Sequence, residues 1–150
     1  SNYLGYIEEA FLAYKTERYN IKGKDVVAGN CKYYLNDLSF KNFLYPGFAY
    51  GVGYLLENAV YLELRRLGYI VYTGSFRDKE VDFVAMKDDR VIYLQATYML
   101  ETAQTMEREY APLLTIGDNY EKYVVSMDEV QFPSNEGVRH IQAWNLKEIL

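Results

Sequence analysis

Five side chains carry the chemistry in this 150-residue sequence: Glu57, Glu80, Asp82, Gln95 and Thr97. At 100° per residue, Glu57 falls between Tyr54, Val60, Tyr61 and Leu64 on the apolar side of a helix, where a carboxylate needs a hydrogen bond, a cation or a proton. In Glu80-Val81-Asp82-Phe83-Val84-Ala85, strand alternation places Glu80 and Asp82 on one face. Gln95 and Thr97 interrupt an apolar strand, Val91 to Met99, and share its other alternation. If the two strands pair about Lys87 to Arg90, the carboxylates meet Gln95 and Thr97. Glu57, Asp82 and Gln95 would then form an oxygen-rich set suited to a hard cation such as Mg2+. A first-turn helix glutamate and a half-exposed acidic strand are the structural alternatives.

Other catalytic arrangements find less support. His140 is the one histidine, in a strand between Arg139 and Ile141, and reads as structural. Cys31 reads as an inert thiol, and one cysteine allows neither an internal disulfide nor a cysteine-based zinc site. The glycines from Gly47 to Gly53 lack the Lys-Ser/Thr of a P-loop, so no ATP site is expected in this chain. Arg18, Lys22 and Lys24, near Tyr14 and Tyr19, form a weak candidate patch for nucleic acid, diluted by Glu17 and Asp25.

These residues need a scaffold. Helical spacing marks Tyr3 to Tyr14 and, most strongly, Tyr54 to Leu67, with Gly68 as its stop. A hairpin is expected over 18–28, an extended piece at 32–35, and a short helix from Asp37 to Leu44. Strand signals follow at 69–73, 80–86 and 91–99, then a helix at 101–114 strained by Pro112. Strands at 123–127 and 138–143 and a helix at 145–150 complete the order. The expected fold is α/β, a central mixed sheet flanked by helices. The glycine-rich joint divides it into 1–46, read as the end of a winged-helix unit, and an α/β core over 47–150.

A net charge of −5 argues against a chain that coats nucleic acid non-specifically. No run reaches the roughly 18 apolar residues of a membrane helix, and the single cysteine fits a reducing, cytoplasmic setting. Seventeen tyrosines suggest wet interfaces or a surface that is covered, and leave room for an oligomer.

The order helix Glu57, then Asp82 in a Glu-x-Asp-Phe strand, then Gln95-Ala96-Thr97 after a hairpin resembles the PD-(D/E)XK core of restriction-endonuclease-like proteins. Lys32-Tyr33-Tyr34-Leu35-Asn36-Asp37-Leu38 is similar to a "KYYLxDLG" segment in a domain of unknown function at the C-terminal end of bacterial and archaeal AAA-type ATPases. Leu55-Leu56-Glu57-Asn58, Glu80 to Val84 and Asn119 to Glu129 are similar to other segments of that domain, so the resemblance runs from Tyr3 to Leu150. It implies a restriction-endonuclease-like sheet and an upstream ATPase module as partner. It also implies catalytic positions at Glu57, Asp82, Gln95 and Thr97, the first three holding Mg2+. The chain departs from an active nuclease at two of these. Gln95 stands where the motif has an acid and Thr97 where it has a lysine, leaving Lys79 as the nearest replacement cation. The expectation is therefore an accessory domain with a degenerate site that engages nucleic acid or a protein partner. A Mg2+-dependent nuclease with an altered site and a pure interaction module are the alternatives.

Overall fold

The computed structural model describes residues 3–44, 46–47 and 51–150. Among them a seven-stranded mixed sheet forms the centre: β1 (Ala13–Asn20), β2 (Asp25–Leu35), β3 (Ile70–Phe76), β4 (Lys79–Lys87), β5 (Arg90–Ala96), β6 (Glu121–Ser126) and β7 (Val138–Gln142), in spatial order β2-β1-β3-β4-β5-β6-β7. β1–β2, β3–β4 and β4–β5 are antiparallel, whereas β1–β3, β5–β6 and β6–β7 are parallel. Helix α3 (Val52–Arg66) covers one face and α4 (Ala103–Leu114) the other; α1 (Tyr3–Glu9) and α2 (Ser39–Leu44) are short. The α/β layering expected from the sequence is therefore present.

Each face has its own apolar core. Leu56, Val60, Tyr61 and Leu64 of α3 pack on Tyr34, Val71, Phe83, Ala85, Ile92, Leu94, Tyr123 and Val125. On the other side Tyr110 and Leu113 of α4 pack on Val81, Val84, Tyr93, Val124 and Val138. Burial of β4 on both faces explains why its apolar residues run on without clean alternation.

Several boundaries differ from expectation. The first helix ends at Glu9 rather than Tyr14, because Phe11 turns the chain through a left-handed φ of 56° and Tyr14 enters β1. Residues 26–28 and 32–35 belong to one long strand, β2, with an irregularity where Thr16 pairs with Lys32 but Arg18 with Val27. The hairpin is hydrogen-bonded to β3 through Arg18–Thr73 to Asn20–Ser75. The segment before residue 47 thus shares a sheet with the segment after it. β5 stops at Ala96, short of Met99, and the C-terminal turn is a 3-10 segment at Ala143–Glu148 rather than an α-helix. Gly68 stops α3 with φ +88°, as its position just past the helix implied. The glycine-rich joint falls partly outside the described residues.

One irregularity governs the site. Tyr72 pairs with Val84 but Gly74 with Val81, so β4 takes three steps where β3 takes two. This β-bulge turns both Asp82 and Phe83 toward α3, while Val81 and Val84 both face α4. Opposite the bulge, a Cβ on Gly74 would sit 2.9 Å from Val84 Cγ2 and 3.0 Å from Val81 Cβ, which explains the glycine.

Candidate functional site

α3 lays Glu57 over the sheet, confirming the charge seen on its apolar side; only 12% of the Glu57 side chain is exposed. The hydrogen bonds that orient it come from β2. Tyr34 donates to Glu57 Oε1 at 2.7 Å, and its ring stacks on Tyr61 with centroids 4.2 Å apart and 15° between planes. The next residue, Asn58, acts as a surrogate strand: its Oδ1 accepts from Leu35 N–H at 2.8 Å and its Nδ2 donates to Leu35 C=O at 2.9 Å. Two consecutive helix residues therefore fasten α3 to β2. They also blunt one end of the sheet edge that β2 would otherwise present.

Lys32, two residues before Tyr34 on the same face, reaches into the centre. Its Nζ lies 2.9 Å from Glu57 Oε1, 2.9 Å from Glu80 Oε1 and 3.3 Å from Asp82 Oδ1. Arg18 of β1 binds the other Glu80 oxygen at 2.6 Å. Asp82 also accepts at Oδ2 from Ala96 N–H at 3.0 Å. Three carboxylates thus meet two cations.

The electrostatics follow from burial and crowding. Desolvation and then the Glu57 carboxylate push the Asp82 carboxyl well above the ordinary range, against Lys32 and the Ala96 N–H, which favour its ionised form. Burial alone would lower the pKa of Lys32, but Asp82 and Glu57 outweigh it and raise it, so the ammonium stays charged. Burial and Glu57 raise the Tyr34 hydroxyl, keeping it a donor.

Of the residues singled out in the sequence, the structure brings together Glu57, Glu80 and Asp82. Gln95 and Thr97 do not join them. Phe83 is paired with Leu94, so Asp82 stands opposite Gln95 as the hairpin implied, but the bulge turns the Asp82 side chain to the α3 face. Leu94 and Ala96 pack on that face too, whereas Tyr93, in step with Gln95, packs on the α4 face. Gln95 instead accepts at Oε1 from the Asp82 backbone N–H at 3.3 Å. Thr97 follows the same alternation just past the strand, and its N–H donates to Val125 C=O at 3.0 Å. The oxygen set Glu57, Asp82 and Gln95 expected for Mg2+ is therefore not assembled. No group of three His, Cys, Asp or Glu that could hold a metal occurs among the described residues.

Lys79 is not the replacement cation. It shares the α4-side alternation with Val81 and lines a cleft there with Met106, Tyr110 and Phe132. Lys32 was the missed residue: it lies on the same face of β2 as Tyr34, and its partners come from α3 and β4, distant in the chain. The basic patch also separates. Arg18 is engaged by Glu80, Lys24 lies 5.8 Å from the Tyr120 ring centroid, and Lys22 stays in the turn with its N–H on Asn20 Oδ1.

His140 is structural, in a set that superficially resembles a hydrolase triad. Its Nδ1 accepts from Phe132 N–H at 3.2 Å, which leaves Nε2 to donate to Ser126 Oγ at 2.8 Å; Ser126 in turn donates to Asp128 Oδ2 at 2.6 Å. The serine proton is thus directed to the aspartate, the reverse of what a nucleophile requires. Burial lowers the His140 pKa and keeps the ring neutral. Asp128 also accepts from Leu100 N–H at 2.8 Å, so the network joins the ends of β5, β6 and β7.

A cleft of about 450 Å³ opens beside the cluster, bounded by Lys32, Tyr33, Tyr34, Leu35, Leu38, Lys41, Tyr54, Leu55, Glu57 and Asn58. Lys32 and Glu57 belong to both cleft and cluster.

The chain is similar to an uncharacterized protein of Haemophilus influenzae, 36% identical over 126 residues, which covers 84% of this chain and 31% of that protein. It is also similar to an uncharacterized protein of Methanocaldococcus jannaschii, 32% identical over 112 residues, covering 72% of this chain and 24% of that protein. The chain thus spans less than a third of the length of either relative. No family model and no solved structure matches. No helix among the described residues is long and apolar enough to cross a membrane.

Proposed function

We propose that this chain is an accessory domain of a longer, cytoplasmic AAA-type ATPase, nuclease-like in its fold, whose carboxylate cluster serves engagement of a partner rather than cleavage. The observation that carries this reading is the position of Lys32, its ammonium 2.9 Å from Glu57 and Glu80 and 3.3 Å from Asp82. A tethered cation takes the point on which a divalent ion's ligands would converge, and the third expected ligand, Gln95, is on the other face. The motif-like order of Glu57, Asp82 and Gln95 supports the nuclease-like fold, and the greater length of the relatives supports an accessory role.

A second reading has its own observation. A motif lysine in a PD-(D/E)XK nuclease works beside the strand aspartate, and Lys32 stands beside Asp82. Lys32 would then stabilise charge on a phosphate once Mg2+ joined Glu57 and Asp82. A cleavage and binding panel on DNA and RNA, with Mg2+ and with Mn2+, separates the two. The accessory reading expects no cleavage, by this domain or by the longer polypeptide, whether or not either nucleic acid is retained. Metal-dependent cleavage abolished by Asp82→Ala establishes the nuclease.

A further inference from the structure

We infer that the cleft between α4 and the segment 132–135, which joins β6 to β7, binds a small zwitterion with an apolar body, of the class of the apolar α-amino acids. The cleft lies across the sheet from the Lys32 cluster, and the inference does not rest on how that cluster is read. Three observations on its own lining carry it.

The first is shape. The cleft has a volume of about 710 Å³, and Met106, Tyr110 and Leu114 of α4 form its apolar walls together with Phe132. All four also pack against the core of that face, so the walls are fixed by the fold. Clefts of several hundred Å³ with apolar walls and a few polar groups are the usual form of a small-molecule site.

The second is charge on the lining itself. Lys79, at the start of β4, and Glu107, on α4, both line the cleft. They do not pair with each other within 4.0 Å, and neither has an ion pair, hydrogen bond or ring contact elsewhere among the described residues. One cation and one anion stand uncommitted at one cleft. A ligand bearing a single charge would meet the like charge of one of them, whereas a zwitterion offers a carboxylate to Lys79 and an ammonium to Glu107.

The third is a buried donor without an acceptor. Tyr110 is 4% exposed and its hydroxyl has no hydrogen-bond partner among the described residues. Burial, and then the Asp128 carboxylate, raise its pKa, so the group remains a donor. Two other hydroxyls on the lining are already spent: Thr115 donates to Pro112 C=O at 2.7 Å and Ser134 to Val138 C=O at 3.3 Å. Buried polar groups in folded proteins are almost always paired, and a carboxylate oxygen is the acceptor that this wall lacks.

The test titrates the isotope-labelled chain with L-phenylalanine, with L-phenylalaninamide, which lacks the carboxylate, and with N-acetyl-L-phenylalanine, which lacks the ammonium. The titrations are run at about pH 6, where a free α-amino group is charged. Phenylalanine is expected to shift the amide resonances of Met106, Glu107, Phe132 and Ser134 saturably, and to bind at least about fivefold tighter than either analogue. Lys79→Gln should bring phenylalanine down to the level of the amide, and Glu107→Gln to the level of the acetylated form. The rest of each variant's spectrum reports that the fold is kept. Absence of saturable shifts, equal binding of the three compounds, or a preference that survives both substitutions overturns the inference.

Discussion

Lys32 and Asp82 stand fifty positions apart, and the ammonium nitrogen of the first lies 3.3 Å from Oδ1 of the second. Two structural features make the meeting possible. The alternation of β2 turns Lys32 inward with Tyr34, and the bulge in β4 turns Asp82 out of step with Gln95. Without the bulge, alternation from Phe83 would turn both Asp82 and Glu80 toward α4, and Lys32 would hold only Glu57.

Removing the cation should expose the cost of the carboxylates. Lys32→Met leaves Glu57 and Asp82 buried without their counter-charge, and breaking such a pair typically costs about 3 kcal/mol. Urea denaturation should show the loss, and it should be larger at pH 8 than at pH 5, where carboxylates without a partner can take protons. An unchanged midpoint at pH 8 would mean that the cluster holds itself without Lys32.

Asp82 gives the domain a pH dependence with a definite sign. Burial and Glu57 hold its carboxyl at about 7, above the ordinary aspartate value of 3.8. The folded chain keeps a proton that the unfolded chain has already lost, so this group's contribution is full below about 4, declines as pH rises to about 7, and is flat above. Asp82→Asn removes the titration. Its stability should fall less than that of the parent between those limits in chemical denaturation at stepped pH, and parallel curves would show that Asp82 titrates normally.

The Asn58 clamp should matter as much as the ions. Asn58→Leu leaves the Leu35 N–H and C=O without partners beneath α3, and a buried unsatisfied group costs roughly 1–3 kcal/mol. Thermal denaturation should report a loss of about 2 kcal/mol, and hydrogen exchange should quicken at Leu35. Protection equal to the parent's would show that water replaces the clamp.

Gly74 should resist substitution. An added methyl must displace Val84 and Val81 at the bulge, and overpacking of that kind costs about 1–3 kcal/mol. Gly74→Ala should lower stability and shift the amide resonances of Asp82, because the bulge that aims Asp82 lies opposite. Lowered stability with Asp82 unmoved would separate the bulge from the site.

The layers of the fold were legible because helical and strand periods are local properties: α3 with its Gly68 stop, the β4–β5 hairpin and the buried β6 all stand close to where the pattern puts them. Glu57 was legible as a charge on an apolar face. The departures have a common origin in tertiary contacts. The first helix yields to β1 because Tyr14 packs with Tyr61, and β1 to β2 and β3 pairing is long-range. A bulge in a strand buried on both faces leaves no trace in polarity, so alternation misassigned Gln95 and Thr97 to the face of Asp82. Lys32 was not legible as a site residue, since nothing local says that a lysine on β2 will face carboxylates from α3 and β4.

The central claim is that Lys32 holds the cation position of this cluster. Its most direct test is a Mn2+ titration of the labelled chain, reading paramagnetic broadening of the Asp82 and Ala96 amide resonances. The account predicts no saturable broadening at these two amides in the parent chain. Saturable broadening there that disappears in Asp82→Asn would contradict it.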